Sequence, residues 1–530
     1  MVIPAQPADP VQLLTVQRSA ALFRASTRER RHSARVIIYG QSTSQQWWAW
    51  ELLRELPAAF PAADLKVKMQ AISAFNADYL IQTAEADIYP LLPDLIIFQC
   101  YGPYGVDGAW RRFLRELRRR TTADIILLGN HPLQDGELVE PTDPARIDPV
   151  AFPATHGEAW VNYVVAPAIA RELGLCNPDN RSLWKRYILA NGLRTSSLLN
   201  DVVHFNEHGS DLLKAILKPY LRAECLSPGI DPFNNSRVWT HPVWRGGLQW
   251  SDGRLRLPFV GNRVDLVAGP GLMGSCRVLV DGKPPTEWPG GTGHLRSGGW
   301  KGEFYSRPAI LKVGATVPLV AEKWTLTVTE MNPADRSRFA FTVEGSVTGP
   351  DGAGVSTERF VSPSGRVIIE TNSWNIRIMP APFQQGAQVV WNSEIRGVDL
   401  YRPVPPRDPR LETTVNLVHD LPDGPHVVEL IAEDPLQPPP VAALRVYHPG
   451  GGLPGSELPP GSEPVLRCLR SGSHLVSAWP ASWGELAPLL RRGPGNAWGP
   501  LAVEPVELPG LRAVSLPMDG DFELLRLDGP

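Results

Sequence analysis

Short apolar runs alternate with longer amphipathic stretches between residues 35 and about 221, and this alternation constrains the fold more than any other feature of the sequence. It is typical of βαβ units, in which parallel strands form a sheet covered by helices. The predicted strands are Val36–Tyr39, Leu65–Ile72, Leu95–Cys100 and Ile125–Leu128. The predicted helices are Gln45–Leu56, Asn76–Asp87, Ala109–Arg119, Glu158–Leu173 and Gly209–Leu221. An α/β fold is therefore expected for this part of the chain.

The first predicted strand stops at Gly40 and is followed by polar residues that open a helix. Functional groups in a parallel sheet gather at the carboxyl ends of the strands, so Ser42 lies at a candidate site. N–H groups at the start of the helix would face any negative charge that develops there. The alternative is that Ser42 or Ser44 only caps the helix. The apolar face of this helix is predicted to contain Trp47, Trp48, Leu52 and Leu56.

A second polar cluster, Asp201-Val-Val-His204, precedes the last predicted helix. An aspartate can hold a histidine in one tautomer while the histidine takes the proton from a serine hydroxyl. Histidine suits this role because its ordinary pKa lies near neutral pH. The alternative is that His204 and His208 are ordinary loop or capping residues. Because Ser42 and the Asp-x-x-His cluster bracket one α/β domain, we predict that they form a Ser-His-Asp triad.

At these residues the sequence resembles the SGNH, or GDSL-type, hydrolases. The first block of that family is Gly-Asp-Ser and the last is Asp-x-x-His, and this chain has Gly40-Gln41-Ser42 and Asp201-Val-Val-His204. The resemblance covers about residues 34–222 and implies a flavodoxin-like three-layer α/β/α sandwich. It implies that Ser42 is the nucleophile, His204 the general base and acid, and Asp201 the residue that orients His204. The Gly-Gln-Ser block is similar to the first block of a sugar-esterase-like branch of the family.

Two blocks that supply the oxyanion hole in this family are altered here. Alanine replaces the glycine of the second block in Ala71-Ile-Ser-Ala74, so the backbone N–H of Ala74 is one candidate donor. The third block, Gly-x-Asn-Asp, corresponds to Tyr101-Gly102-Pro-Tyr104, in which Gly102 is the second candidate and the asparagine is absent. Loss of one oxyanion donor typically lowers the rate by about two to three orders of magnitude. This departure favours an impaired catalyst.

Other polar residues follow predicted strands and are candidates for the same edge of the sheet. Asn76 and Asn130 are candidate substitute donors, and each is equally explained as a turn residue. His131 either lines the site or belongs to the loop ahead of Pro132. The segment Pro132–Phe152 is rich in Pro, Asp and Glu without periodicity, which predicts a long loop near the site.

Past residue 222 the pattern changes to short alternating runs separated by Gly and Pro, and these continue to about Tyr447. Such runs predict an antiparallel β-sandwich with a jelly-roll-like arrangement. Tryptophan on a sandwich surface can stack against sugar rings, and the alternative role is a core or loop anchor. The tryptophans of this region are Trp239, Trp244, Trp250, Trp288, Trp300, Trp324, Trp374 and Trp391.

The predicted organisation has four parts. Residues 1–33 form an N-terminal helical extension, and residues 34–223 form the SGNH hydrolase-like domain. Residues 233–449 form the accessory β-sandwich, and residues 450–530 contain a Pro/Gly-rich linker and a small β appendage. A chain of 530 residues is expected to form about three domains.

Composition excludes several classes of function. The net charge of −3 and the pI near 6.4 show no bias toward nucleic acid or an anionic membrane. No apolar run reaches the roughly 18 residues of a membrane span. The five cysteines form no C-x-x-C pair, so neither a zinc site nor a disulfide framework is indicated. No metal and no cofactor are predicted. No signal peptide is visible, so the expected location is cytoplasmic as written, or extracellular if the start is incomplete.

These observations predict a serine esterase that hydrolyses an acyl ester, with acetyl as the expected acyl group, on a small-molecule or polysaccharide substrate. Ester hydrolysis rests on the positions of the predicted triad, whereas a carbohydrate substrate rests on the resemblance alone. One alternative is a carbohydrate-binding protein with an SGNH-like domain that has lost activity. The other is an O-acyltransferase, because the same acyl-enzyme serves hydrolysis and transfer. The sequence does not define the oligomeric state.

Overall fold

The computed structural model describes most of the 530 residues. The described part excludes residues 1, 2, 7, 103–107, 148–156, 223–228, 245–246, 301–306, 377–384, 454–466, 472–473, 484–486, 492–498, 501–502, 518–523 and 529–530. The end of the predicted loop at residues 132–152 and much of the predicted linker therefore lie outside the described residues.

Four parallel strands form the sheet of the α/β part: β1 (Ser33–Gly40), β2 (Asp64–Met69), β3 (Leu95–Gln99) and β4 (Asp124–Leu127). Their order is β2-β1-β3-β4, and Cys176 continues the sheet beyond β4 through a parallel bridge to Ile126. This is the strand order of flavodoxin-like doubly wound sheets. The predicted α/β fold is confirmed.

Helices connect and flank these strands. Within the described residues the α-helices are α1 (Pro10–Leu13), α2 (Gln17–Ala25), α3 (Trp47–Ala59), α4 (Ala77–Asp87), α5 (Ala109–Arg120), α6 (Gly157–Trp160), α7 (Ala166–Leu173), α8 (Asn180–Ala190) and α9 (Glu207–Leu221). A π-helical segment, Val161–Val165, joins α6 to α7. Helix α8 is absent from the sequence-based prediction, because polar residues that are buried in the structure interrupt its apolar pattern.

Two hydrophobic cores lie on opposite faces of the sheet. Val36 and Ile38 of β1 belong to one core, and Ile37 and Tyr39 belong to the other. Successive side chains of a strand point to opposite faces, so a strand without polar interruption needs cover on both sides. Helices α3 and α9 contribute to the first core, and α4, α5 and α7 contribute to the second. The result is a helix–sheet–helix arrangement.

The two ends of the chain meet at the first of these cores. Leu22 and Phe23 of α2 are buried there, together with Val476 and Ala513 from the C-terminal β-strands. The strands of that segment form one sheet that contacts α1, and their order in the sheet is Arg467–Ser471, His474–Pro480, Leu511–Pro517 and Val506–Leu508. Residues near both termini therefore complete the apolar cover of the α/β part.

The remaining strands build the β-rich part. They are β5 (Val238–Pro242), β6 (Arg254–Gly261), β7 (Arg263–Ala268), β8 (Cys276–Val280), β9 (Thr292–His294), β10 (Glu322–Met331), β11 (Phe339–Gly345), β12 (Gly349–Val355), β13 (Phe360–Val361), β14 (Ile368–Ile369), β15 (Gln388–Ile395), β16 (Leu400–Tyr401), β17 (Thr414–Val418), β18 (Gly424–Ala432), β19 (Val441–Tyr447), β20 (Arg467–Ser471), β21 (His474–Pro480), β22 (Ala487–Arg491), β23 (Gly499–Pro500), β24 (Val506–Leu508), β25 (Leu511–Pro517) and β26 (Leu524–Asp528).

Two separate cores stabilise the β-rich part, where the sequence predicted one sandwich. The four-stranded sheets β16-β8-β18-β6 and β17-β7-β19-β5 share a core that includes Leu255 and Leu444. The five-stranded sheet β12-β11-β10-β15-β9 has its own core, which includes Trp324, Phe341 and Trp391. The jelly-roll arrangement stays a prediction.

The predicted roles of several tryptophans can be compared with their exposure. Trp300, Trp324, Trp374 and Trp391 are buried in the core of the five-stranded sheet and are core anchors. Trp239 and Trp244 are 49% and 59% exposed. One prediction for α3 is wrong: Trp48, Leu52 and Leu56 are buried, but Trp47 is 52% exposed. Adjacent helical residues differ by about 100° in direction, so Trp47 and Trp48 point to different sides.

Candidate active site

Strand β1 delivers Ser42 to the carboxyl edge of the sheet through a turn that requires glycine. Gly40 has a φ of +152°, and a Cβ atom at this position would lie 2.0 Å from the carbonyl oxygen of Gln99. No side chain fits against a backbone atom at that distance. After the turn, Ser42 begins a 3₁₀ helix, Ser42–Gln45, that leads into α3. Ser42 is half-buried, whereas Ser44 is buried.

The imidazole of His204 connects the other two residues of the predicted triad. Its Nε2 atom lies 2.9 Å from Ser42 Oγ, and its Nδ1 atom lies 2.7 Å from Asp201 Oδ2. A carboxylate only accepts hydrogen bonds, so Nδ1–H donates to Asp201 and Nε2 is left to accept the Ser42 hydroxyl proton. The structure therefore brings together the three residues that the sequence singled out.

Asp201 is held as an anion by donors from its own loop. Its Oδ1 atom accepts hydrogen bonds from the backbone N–H groups of Val203 and His204, both at 2.7 Å. The N–H of His204, its imidazole and the N–H of Val203 together hold the pKa of Asp201 well below its usual value. The site remains open, because the side chains of His204 and Asp201 are 34% and 52% exposed.

Backbone hydrogen bonds close the loop that carries Asp201 and His204. The N–H of Asn200 donates to the carbonyl of His204 at 2.8 Å, and its side-chain amide donates to the carbonyl of Phe205 at 2.9 Å. Asn206 caps α9 by accepting from the N–H of Gly209 at 3.0 Å. Sequence analysis missed the role of Asn200, for which a single sequence carries no signal. An Asn ahead of a helical stretch is an N-cap signal that would have identified Asn206.

His131 supports this loop from inside the protein. It is only 2% exposed, and its ring packs against Phe205 and Trp184 with centroid distances of 4.5 Å and 5.1 Å. Burial is the main cause that lowers the pKa of His131 to about 3, and a hydrogen bond to the backbone of Val203 opposes this shift. His131 is therefore neutral and packs beneath the candidate site instead of lining it.

A buried arginine from α8 fixes the segment that begins at Asn130. Arg181 donates to the carbonyls of Asn130 and His131 at 3.3 Å and 3.0 Å. Its Nη2 atom also lies 2.7 Å from carboxylate oxygens of both Glu137 and Glu140. A buried guanidinium needs such partners to offset the loss of hydration. The polar part of α8 thus has a structural role that the sequence pattern did not indicate.

The candidate oxyanion donor Ala74 has an unusual backbone conformation. Its φ is +65°, in the left-handed region that favours glycine, and its N–H has no hydrogen-bond partner in the described part of the chain. Its segment is tied to the Ser42 turn, because the N–H of Ile72 donates to the carbonyl of Gly40 at 2.8 Å and the Gln45 amide donates to the carbonyl of Ala71 at 2.8 Å. The altered second block thus keeps a glycine-like backbone.

Gly102, the second candidate donor, follows β3 and lies against α4. A Cβ atom at Gly102 would lie 3.1 Å from Cβ of Ala77, and the N–H of Ala77 donates to the carbonyl of Tyr101 at 3.2 Å. These contacts place Gly102 at the same edge of the sheet as Ser42. Residues 103–107, which include Pro103 and Tyr104 of the altered third block, lie outside the described residues.

The two asparagines that were considered as substitute donors have different surroundings. The side chain of Asn130 accepts from Gln99 at 2.7 Å and donates to Glu158 at 2.6 Å. Thr43 also donates to Gln99, so this buried network links the Ser42 turn to the turn after β4. Asn76 is the N-cap residue of α4 without a side-chain capping bond, and its buried Oδ1 atom has no hydrogen-bond partner among the described residues. Asn130 therefore braces the turns of the site, whereas the role of Asn76 as a donor stays a prediction.

Among the described residues, no group of three or more His, Cys, Asp and Glu side chains is arranged to hold a metal ion. None of the described helices combines the length and hydropathy that a membrane-spanning helix needs.

The carboxyl group of Glu158, which accepts from Asn130, has a raised pKa. Burial is the main cause, because it disfavours the charged carboxylate.

Comparison with known proteins finds solved structures that match this chain with low sequence identity and a low TM-score. No protein-family model and no curated protein matches the sequence. A two-domain esterase active on acetylated mannans covers 83% of this chain and 96% of its own, with 12% identity and a TM-score of 0.29. A catalytic mutant of an acetylxylan esterase from Geobacillus stearothermophilus covers 35% of this chain and 94% of its own, with 16% identity and a TM-score of 0.30.

Proposed function

We propose that the chain is a serine esterase in which Ser42, His204 and Asp201 form the catalytic triad. The observation that carries this proposal is the position of the His204 imidazole, whose two nitrogens lie 2.9 Å from Ser42 Oγ and 2.7 Å from Asp201 Oδ2. A serine hydroxyl is a weak nucleophile until a base removes its proton, and a base needs a third group to orient it. All three roles are filled here at hydrogen-bond distance.

In the first half of the proposed reaction, Ser42 Oγ forms a bond to the ester carbonyl carbon while His204 Nε2 accepts the hydroxyl proton. The carbonyl π electrons move to the oxygen, and the N–H of Ala74 is our proposed donor to that oxyanion. Collapse of the intermediate breaks the bond between the carbonyl carbon and the alcohol oxygen. The His204 imidazolium returns its proton to the departing alcohol, which leaves an acyl group on Ser42.

In the second half, water replaces the alcohol. His204 removes a proton from water as the water oxygen attacks the acyl carbon, and the N–H of Ala74 again donates to the oxyanion. The bond between the acyl carbon and Ser42 Oγ then breaks, and the imidazolium returns the proton to Ser42. Asp201 stays ionised throughout, because its hydrogen bonds favour the carboxylate, and it stabilises the imidazolium in both halves.

The proposed substrate is a short acyl ester, with acetyl preferred, on a large alcohol such as a carbohydrate. The exposed side chains of His204 and Asp201 support a large alcohol, because an open site does not require the substrate to enter a closed cavity. The first block, with Gln41 between Gly40 and Ser42, supports a sugar ester through its resemblance to sugar esterases.

Turnover of p-nitrophenyl acetate tests this proposal. We expect release of p-nitrophenol by the wild-type protein and loss of at least three orders of magnitude in kcat for Ser42→Ala. Ser44→Ala is the matched control, since it removes a hydroxyl from the same turn and should retain turnover. Equal activity of wild type and Ser42→Ala would contradict the proposal, as would equal losses in the two serine variants.

A further inference from the structure

Two tryptophan side chains near Ser42 are exposed to solvent. Trp47 is 52% exposed and Trp50 is 54% exposed, whereas Trp48 between them is 1% exposed and belongs to the core. Residues three apart on a helix lie on the same face, so both exposed indoles project from one face of the first turn of α3. We call this pair the indole patch. Each exposed indole presents a flat apolar face, so the pair beside Ser42 is a candidate binding surface for part of the substrate.

Hydrogen bonds attach the indole patch to the turn that carries Ser42. Trp50 Nε1 donates to the carbonyl of Gln45 at 3.1 Å, and the Gln46 amide donates to the carbonyl of Ser42 at 2.9 Å. Gln45 in turn donates to the carbonyl of Ala71, in the segment that leads to the candidate oxyanion donor. The patch therefore lies beside the candidate nucleophile at the same edge of the sheet, where the alcohol part of an ester substrate has to lie.

The size and surroundings of the patch limit what it can bind. Two half-exposed indoles present about 200 Å² of apolar surface, whereas a specific protein interface needs about 800 Å² on each partner. The exposed residues that follow along α3 include Arg54 and Glu55, so the apolar area does not continue into a wider hydrophobic surface. A suitable ligand is small and combines one apolar face with polar edges.

We propose that Trp47 and Trp50 stack against a sugar ring in the alcohol part of the substrate and so give the site a preference for acylated carbohydrates. A pyranose ring carries C–H groups on its faces and hydroxyl groups around its edge, which matches an aromatic surface within a polar one. This inference rests on the proposed esterase function, because it concerns the alcohol that leaves Ser42. It makes the indole patch, and not the exposed tryptophans of the β-rich part, the determinant of substrate class.

The test compares two substrates, partially acetylated xylotetraose and p-nitrophenyl acetate, for the wild type and for the double variant Trp47→Ala/Trp50→Ala. We expect the ratio of kcat/KM for the oligosaccharide to kcat/KM for p-nitrophenyl acetate to fall about ten-fold in the double variant, through a higher KM. The double variant Trp47→Phe/Trp50→Phe should recover most of this loss, because phenylalanine keeps an aromatic face. Trp239→Ala removes a tryptophan of similar exposure, 49%, from the β-rich part and should leave the ratio unchanged.

Three results would overturn the inference. An unchanged ratio in the double alanine variant would show that the patch does not contact the sugar. A fall of the same size in Trp239→Ala would place carbohydrate selectivity in the β-rich part. With p-nitrophenyl octanoate as a third substrate, a loss of activity on this ester alone would make the patch a site for lipid acyl chains.

Failure of the proposed function gives a different result, because the wild type would then not hydrolyse p-nitrophenyl acetate. Calorimetric binding of unacetylated xylotetraose to the wild type and the double variant would still test the patch.

Discussion

The imidazole of His204 lies 2.9 Å from Ser42 Oγ, although 162 residues separate the two along the chain. A glycine turn at the end of β1 fixes one partner, and a loop closed by Asn200 and Asn206 fixes the other. Neither arrangement depends on the hydrogen bond between Ser42 and His204. Substitution of a triad side chain should therefore remove chemistry without unfolding the protein.

Replacement of Asp201 by asparagine should remove both the negative charge and the oxygen that accepts the Nδ1–H of His204. In Asp201→Asn one side-chain oxygen remains to accept the N–H groups of Val203 and His204, but the carboxylate that stabilises the imidazolium is lost. We expect kcat for p-nitrophenyl acetate to fall by about four orders of magnitude. A thermal melt of the same variant checks that the loop stays folded, and a loss of less than ten-fold in kcat would show that Asp201 is not part of the triad.

Gly40 should tolerate no side chain. In Gly40→Ala the new Cβ would lie 2.0 Å from the Gln99 carbonyl oxygen, so β1 and β3 would have to separate. We expect a loss of about 3 kcal/mol or more in the free energy of unfolding, measured by urea denaturation. The control is Gly192→Ala, since Gly192 also has a positive φ, +59°, but apart from its chain neighbours no atom of the described residues lies within 4 Å of an added Cβ. The control should lose only about 1 kcal/mol. Similar losses in both variants would contradict the steric argument.

Ala74→Gly should stabilise the protein. Ala74 has a φ of +65°, which costs an L-residue about 1 kcal/mol that glycine does not incur. The backbone N–H that we assign to the oxyanion is unchanged, so turnover should persist. Ala58→Gly, in the exposed part of α3, is the opposite case and should lose about 1 kcal/mol because glycine weakens a helix. Urea midpoints of both variants check this, and a destabilised Ala74→Gly would argue against strain at Ala74.

The neutral state of His131 predicts a dependence of stability on pH. Burial lowers the pKa of His131 from its ordinary 6.5 to about 3, so below pH 6.5 the unfolded chain binds a proton that the folded chain excludes. The contribution of His131 to the free energy of unfolding should fall by about 2 kcal/mol between pH 7 and pH 5.

The measurement compares the wild type with His131→Phe at these two pH values. Other buried histidines with lowered pKa values, His294 and His419, are present in both proteins and do not affect the difference. The wild type should therefore lose about 2 kcal/mol more than the variant on acidification. Equal losses would mean that His131 is protonated in the folded protein.

The parts of the structure that the sequence predicted are those governed by local patterns. An unbroken apolar strand that stops at Gly40 marks the Ser42 turn, and Asp201 and His204 stand together ahead of a capped helix. The parts that it did not predict depend on distant partners. Helix α8 was missed because Arg181 and Lys185 are buried, which requires Glu137 and Glu140 from another segment.

The sequence pattern also did not predict the exposure of individual side chains or the packing between distant segments. Trp47 was placed on the buried face of α3, because apolarity alone does not distinguish a core side chain from a binding surface. The sequence pattern does not predict strand β12, because Gly349 to Val355 is rich in glycine and contains proline, which are residues of low strand propensity. Contact between the C-terminal strands and α1 joins the two ends of the chain, and no local signal encodes it.

Covalent labelling tests whether Ser42 is the nucleophile. The wild type is treated with a fluorophosphonate probe, digested and mapped by peptide mass spectrometry, alongside Ser42→Ala, Ser44→Ala and His204→Ala. We expect a single label on Ser42 in the wild type and in Ser44→Ala, no label in Ser42→Ala, and labelling slowed by at least two orders of magnitude in His204→Ala. Label on another residue, or unchanged labelling in His204→Ala, would contradict the assignment of Ser42 as a nucleophile activated by His204.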